Sequence, residues 1–274
     1  GNWMNRRFEG KVAIVTGAGR LRGIGRATAV ALAKLGANVV VTGTGRKPEN
    51  FPPEEKDVHW KDVDSTVLQI EAEARRGLPV LMDVTNSTDV QMMMDETIKE
   101  FGRVDILVNN AAFARGADRV PILELSQDVF QKVVDVKVMG TYLCTKAVAS
   151  KLIEQGSGGK VVNVSSSAGK SGSANTLAYN AACFAQIGMT QSMAHELGPH
   201  GINVNCVCPG LVDTSRMDDL DRFGIWRDMV AETPIRRAGT DEEVGEFISY
   251  LCTEAASWIH GQSININGGT TMEH

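Results

Sequence analysis

Long apolar runs are missing from this chain. Stretches such as Val39–Val41 and Val161–Val162 stop far short of the roughly 20 residues that cross a bilayer. Positive charge is not in excess either. Against 28 Lys and Arg stand 33 Asp and Glu, a net charge of -5, so the basic face that displaces counterions from nucleic acid is lacking. The five cysteines (Cys144, Cys183, Cys206, Cys208, Cys252) include no C-x-x-C pair. Neither a disulfide framework nor a zinc site is signalled, and a reducing, cytoplasmic setting is expected. His59, His195 and His200 are scattered without metal-ligand spacing, and no metal is expected. No basic segment followed by an apolar stretch opens the chain. Gly1-Asn2-Trp3 ahead of Met4 read as the remnant of a cleaved tag, which sets the expected domain at residues 4–274. No internal repeat, low-complexity tract or linker divides it.

What is present is core material. With 43% hydrophobic residues over 274 positions, the chain can bury a sizeable core, which excludes a disordered or fibrous class. Short β-branched runs at Val12–Thr16, Asn38–Thr42, Leu78–Met82, Val104–Val108, Lys160–Val164, Ile202–Val207 and Ser263–Ile266 predict strands. Helical patterns at Ile24–Leu35, Val90–Phe101, Gln127–Ile153 and Thr176–Leu197 separate most of them. Strands apolar on both faces, alternating with helices, predict an α/β domain: one doubly wound, Rossmann-type parallel sheet of about seven strands with helices on both faces.

Two segments break the rhythm. Lys47–Asp64, with three prolines and mixed charge, reads as a surface insertion. Residues 211–239 lie where a substrate lid could form; Met217, Phe223, Ile225 and Trp226 suggest an apolar pocket wall there. Asp218, Asp219, Asp221 and Asp228 of the same stretch read as a solvated face.

The loop Thr16-Gly17-Ala18-Gly19-Arg20-Leu21-Arg22-Gly23-Ile24-Gly25 runs from the first strand into the first helix. Glycines at such a turn let the backbone approach a pyrophosphate, and the helix N-terminus offers free N–H groups and partial positive charge. An isolated glycine cluster is as easily an ordinary turn. A strand before it and a helix after it favour a dinucleotide site.

These residues resemble the glycine motif of the short-chain dehydrogenase/reductase family, although two extra residues separate the glycine blocks. Further family-like blocks follow in order: Asp83-Val84, Asn109-Asn110-Ala111-Ala112, Asn163-Val164-Ser165-Ser166, Tyr179 thirteen residues beyond Ser166, Pro209-Gly210, and Asn267-Gly268-Gly269. The resemblance spans nearly the whole chain and implies an NAD(P)-binding oxidoreductase. It places Gly17, Arg20, Arg22, Gly23, Ile24 and Gly25 on the cofactor phosphates, Asp83 and Val84 at the adenine, and Asn109 and Ala111 along the cleft. Pro209 and Gly210 follow on the cleft, and Val212 and Thr214 meet the nicotinamide carboxamide. Taken alone, Asp83 could simply cap the following helix. The resemblance further implies a homotetramer (or homodimer) joined through the long helices and the C-terminal segment.

Cofactor choice is usually made at the end of the second strand, where a carboxylate binds the 2′-OH of NAD or an arginine accommodates the 2′-phosphate of NADP. The sequence there carries no acid but has Arg46 and Lys47, and Arg22 precedes Gly23. NADP(H) is therefore favoured over NAD(H).

The family's chemistry is hydride transfer at a carbonyl or alcohol carbon, with a tyrosine moving the hydroxyl proton. A free tyrosine has a pKa near 10, so a neighbouring cation must favour its phenolate. Family members carry that cation on a lysine four residues after the tyrosine, on the same helix face. They add a serine at the substrate oxygen and an asparagine holding a relay water. Tyr179 and Ser166 match. Cys183 stands where the lysine belongs and Lys137 where the asparagine belongs. Losing the cation outright would cost on the order of 1.4 to 4 kcal/mol in phenolate stability. The leading expectation is that the cation has moved, with Lys137 reaching into the space left by the shorter Cys183. Competing fates are a Lys137 that snorkels to solvent, a Cys183 that merely packs, a site that binds nucleotide without turnover, and a Cys183 that acts as a nucleophile in non-redox chemistry. The catalytic candidates are thus Ser166, Tyr179, Lys137 and Cys183. The expected reaction interconverts a carbonyl and an alcohol on a small to medium organic substrate, with no nucleic-acid or membrane partner.

Overall fold

The computed structural model describes residues 7–274; Gly1–Trp3, read above as a tag remnant, lie outside the described residues. Seven strands form one parallel sheet: β1 (Val12–Val15), β2 (Asn38–Gly43), β3 (Gly77–Leu81), β4 (Ile106–Asn109), β5 (Gly159–Val164), β6 (Ile202–Pro209) and β7 (Ser263–Ile266). Their order is β3-β2-β1-β4-β5-β6-β7, so the chain winds outward in both directions from β1 and β4. Register is set by pairs such as Val12 with Asn38, Ala13 with Ile106 and Ile106 with Lys160. The expected fold class holds.

The helices are α1 (Ile24–Lys34), α2 (Pro53–Asp57), α3 (Val63–Glu71), α4 (Ser87–Phe101), α5 (Gln127–Val134), α6 (Gly140–Gln155), α7 (Leu177–Leu197), α8 (Ile225–Glu232) and α9 (Asp241–Leu251). Alternation along the strands splits the core into two layers. Ala13, Val15, Val39 and Val41 pack with Leu32 of α1, Ile70 of α3 and Ile248 of α9. Ile14, Val40, Leu107 and Val161 pack with Met93 of α4, Val148 and Leu152 of α6 and Ala194 of α7.

The structure revises several expectations. The helix expected over Gln127–Ile153 is interrupted by a π-helical turn, Asp135–Met139, between α5 and α6; periodicity alone does not reveal one residue more per turn. Lys47–Asp64 lies at the surface as expected, but it is anchored. It carries α2 and buries Phe51, Glu55, Trp60 and Asp62. In the lid, Phe223 and Ile225 face solvent at 86% and 58% exposure, and Trp226 lies under the Arg222 guanidinium, 3.9 Å from its ring centroid. Asp218 and Asp219 of the acidic group form ion pairs with Arg22 and Arg115.

α1 lies against α9 so closely that only small residues fit. A side-chain carbon added at Gly245 would sit 2.8 Å from both the Ala27 carbonyl carbon and the Thr28 nitrogen. Backbone cannot yield as a flexible side chain does. Gly245→Val is therefore expected to destabilise the fold by about 2 kcal/mol or more, read as a lowered midpoint in urea unfolding.

Candidate active site

The crevice opens where the winding reverses, at the carboxyl ends of β1 and β4, the place at which open α/β sheets bind ligands. Gly17, at φ 66°, brings the loop so near β4 that an added carbon would lie 2.8 Å from Ala111 Cα. At Gly25 it would lie 2.4 Å from the Gly17 oxygen. Asn110 Nδ2 donates to that oxygen at 3.0 Å. Gly23 caps α1 in extended geometry with no side-chain hydrogen bond, leaving the first-turn N–H groups to an anion. The cradle thus fits a dinucleotide diphosphate. Ile24, Pro209, Gly210, Val212 and Thr214 line the same cleft. Asp83 is exposed beyond β3 and Val84 is buried; Asn86, not Asp83, caps α4, accepting from Asp89 N at 3.0 Å. Asn109 differs from expectation: its amide points inward and donates to Thr145 Oγ1 and Asn163 Oδ1.

The segment after β2 folds onto this cradle. Trp60 Nε1 donates to the Gly19 oxygen at 2.6 Å, and the Glu55 carboxylate, fully buried, accepts from Leu21 N at 3.0 Å. Arg46 donates to Glu55 Oε2 at 3.1 Å, to Asp62 Oδ1 at 3.1 Å and to the Gly19 oxygen at 3.1 Å. Arg22 is paired with Glu54, Asp213 and Asp218. The NADP(H) expectation took both guanidiniums as free charge, and both are spent on carboxylates. Asp62, buried and at φ 56°, brings a carboxylate oxygen within 3.5 Å of where a Gly43 side chain would begin. An acid thus stands at the end of β2 although the strand carries none. Arg20 donates to Ser215 Oγ at 3.4 Å; burial and the neighbouring Arg46 lower its pKa.

Tyr179 lies in the first turn of α7 and Ser166 just beyond β5, both on the cleft. Ser166 Oγ accepts from Ala168 N at 3.1 Å, which holds the hydroxyl at the strand end. Lys137 sits in the π-helical turn and is 3% exposed. Its Nζ donates to the Val164 oxygen at 2.9 Å and lies 5.7 Å from the Tyr179 ring centroid. The amine therefore does not snorkel to solvent. Cys183, one helical turn after Tyr179, is 0% exposed; its carbonyl accepts from Ser165 Oγ at 3.0 Å.

Sequence reasoning missed three arginines in this cleft. The Arg119 and Arg216 guanidinium carbons lie 4.5 Å and 5.1 Å from the Tyr179 ring centroid, and Arg115 lines the wall beside them. The available signal was Arg115 and Arg119 just after the Asn109–Ala112 block and Arg216 just after Thr214. The cleft holds about 400 Å³, with Met217 and Met229 as its apolar wall. A larger cavity of about 820 Å³ lies at the amino ends of β1, β4, β5 and β6, against Lys11, Asp105 and Lys160, away from the carboxyl ends where this geometry converges.

Residues 17–271 match the family model described as enoyl-(acyl carrier protein) reductase. The chain is 38% identical to the short chain dehydrogenase/reductase astE of Aspergillus oryzae, over 99% of both chains. It is 36% identical to a 3-oxoacyl-[acyl-carrier-protein] reductase of Synechocystis sp., over 96% of this chain and 97% of the relative. Among solved structures, a putative short-chain alcohol dehydrogenase of Sinorhizobium meliloti superposes with a TM-score of 0.84 at 29% identity, over 96% of both chains. Acetoin dehydrogenase of Enterobacter cloacae superposes with a TM-score of 0.77 at 33% identity, over 95% of both chains.

Glu55→Ala is expected to leave Leu21 N and Arg46 under-paired, lowering stability by about 3 kcal/mol in urea unfolding and weakening dinucleotide binding in a fluorescence titration. Glu55→Gln retains an acceptor and is expected to lose less of both.

Proposed function

This chain belongs to the short-chain dehydrogenase/reductase family and is an NAD(P)-dependent oxidoreductase of alcohols and carbonyls; we propose that it works with a rearranged catalytic set on a small to medium organic substrate. The observation that carries this reading is the buried Lys137 ammonium beside Tyr179. When bound, the nicotinamide supplies the two-electron hydride chemistry. Everything else falls to the chain's own side chains. Ser166 donates to the substrate oxygen and polarises it. Tyr179 gives the proton to that oxygen in reduction and removes it in oxidation. Lys137 places an ammonium beside the Tyr179 ring from the α5–α6 junction, alongside the Arg119 and Arg216 guanidiniums, a charge that the thiol of Cys183 does not carry.

The rearrangement follows from helix geometry. A π-helical turn shifts side chains relative to a regular helix and recurs at functional positions. Here it accompanies an inward Lys137, while the smaller Cys183 leaves room on α7. Lys137→Met is expected to lower turnover about 100-fold or more while the dissociation constant for dinucleotide stays within a few-fold. The double change Lys137→Asn with Cys183→Lys moves the charge back to α7 and is expected to recover activity relative to Lys137→Met. Full activity in Lys137→Met would overturn the relocation. No cofactor oxidation over a panel of ketones and aldehydes would leave a nucleotide binder without turnover.

For the cofactor, the ion pairs favour NAD(H) over the NADP(H) expected from sequence. A 2′-phosphate would enter beside the Asp62 and Glu55 carboxylates with Arg46 already engaged, whereas a ribose 2′-OH can donate to Asp62. NADH is expected to bind at least about tenfold more tightly than NADPH, and Asp62→Asn to narrow the gap. Tighter binding of NADPH by the unaltered protein would reverse the assignment.

A further inference from the structure

We infer that the cleft selects substrates carrying a carboxylate only a few bonds from the reacting carbon, held by Arg119 and Arg216; the inference deepens the oxidoreductase reading and rests on it. Two guanidiniums lie over the Tyr179 ring and a third, that of Arg115, lines the same cleft, and their protein partners do not balance them. Arg119 Nε donates to buried Asp118 at 3.2 Å, and Arg115 pairs with Asp219. Among the described residues Arg216 has no carboxylate partner within salt-bridge distance; its Nη1 donates to the neutral Phe113 oxygen at 2.6 Å. Arg115 Nε is buried without a hydrogen-bond partner among the described residues.

Like charges brought this close repel one another. Burial lowers the pKa of Arg119, and the neighbouring Arg115 and Arg216 push it the same way against Asp118. Crowded like charges of this kind are relieved by an anion between them. A guanidinium presents a planar fork that matches a carboxylate in two parallel hydrogen bonds. The position sets the substrate's shape. Both guanidiniums lie against the ring whose hydroxyl meets the reacting oxygen, so the carboxylate and the carbonyl must be close on a short chain. Oxo acids and the corresponding hydroxy acids satisfy this. The carboxylate gains and loses no covalent bond; it orients the carbonyl toward Ser166 and Tyr179. A dinucleotide phosphate shares the same anion chemistry, because Arg216 also lies near Arg20 of the phosphate loop, so the test must separate the two sources.

The experiment is binding calorimetry on protein saturated with oxidised dinucleotide, where an oxo acid binds without reacting. Pyruvate, acetoacetate and levulinate are each compared with the corresponding methyl ester. At least one acid is expected to bind about tenfold or more tightly than its ester. Arg216→Met is expected to abolish that preference and Arg119→Met to reduce it, with ester binding and dinucleotide affinity unchanged. Arg216→Lys, which keeps the charge without the fork, is expected to fall between. Equal binding of acids and esters, or binding of neither, overturns the inference. So does an Arg216→Met variant that loses dinucleotide affinity while keeping the acid preference, which would assign the guanidinium to the cofactor phosphate. Selective acid binding without turnover would instead refute the redox reading and leave the carboxylate site standing.

Discussion

An ammonium group enclosed between two helices and a strand end is the constraint on which this site turns. Burying an isolated charge costs several kcal/mol unless hydrogen bonds and opposing charge offset it. For Lys137 the offset begins with the Val164 oxygen at 2.9 Å, at the last residue of β5 and two positions before Ser166. The same bond that makes the buried amine tolerable therefore ties the junction of α5 and α6 to the strand end that presents the serine. Tyr179 completes the arrangement from α7.

The wider cleft follows the same electrostatic logic with different outcomes on its two sides. On the adenosine side, Arg46 and Arg22 are matched by Glu55, Asp62, Glu54, Asp213 and Asp218, while Arg20 of the loop donates to the neutral Ser215 hydroxyl. On the substrate side, among the described residues, Arg119 and Arg115 have one carboxylate each while Arg216 has none. The Arg46 and Arg22 charges are thus used structurally at one end of the cleft, and that of Arg216 is left available at the other. The relatives act on chemically varied molecules by name, from 3-oxoacyl-[acyl-carrier-protein] to acetoin, which fits a shared cradle with a substrate wall that each chain builds separately.

Much of this was legible in the chain alone. Strand and helix order, the parallel sheet, the glycine cradle and the placement of Ser166 and Tyr179 all depend on local periodicity and on motifs within a few residues of one another. Those signals survive without tertiary information because a β-branched run bounded by turns, or a glycine where a side chain would strike Ala111 or Gly17, answers to short-range sterics. The substitution of lysine by cysteine at Cys183, and of asparagine by lysine at Lys137, was equally plain as a matter of residue type.

What required the folded chain was direction and pairing. Whether the Lys137 amine turned to solvent or inward hung on a π-helical turn, which leaves no distinct hydrophobic period. Arg46 read as a free cation because its partners Glu55 and Asp62 lie nine and sixteen residues away, on a segment whose prolines and charges resemble a surface loop. The arginines above Tyr179 come from two separate loops, Arg115 and Arg119 after β4 and Arg216 after β6. Residue order thus settled the scaffold and the kinds of chemical groups present. Only three-dimensional packing decided which charges meet, since Coulomb attraction depends on distance through space and not along the backbone.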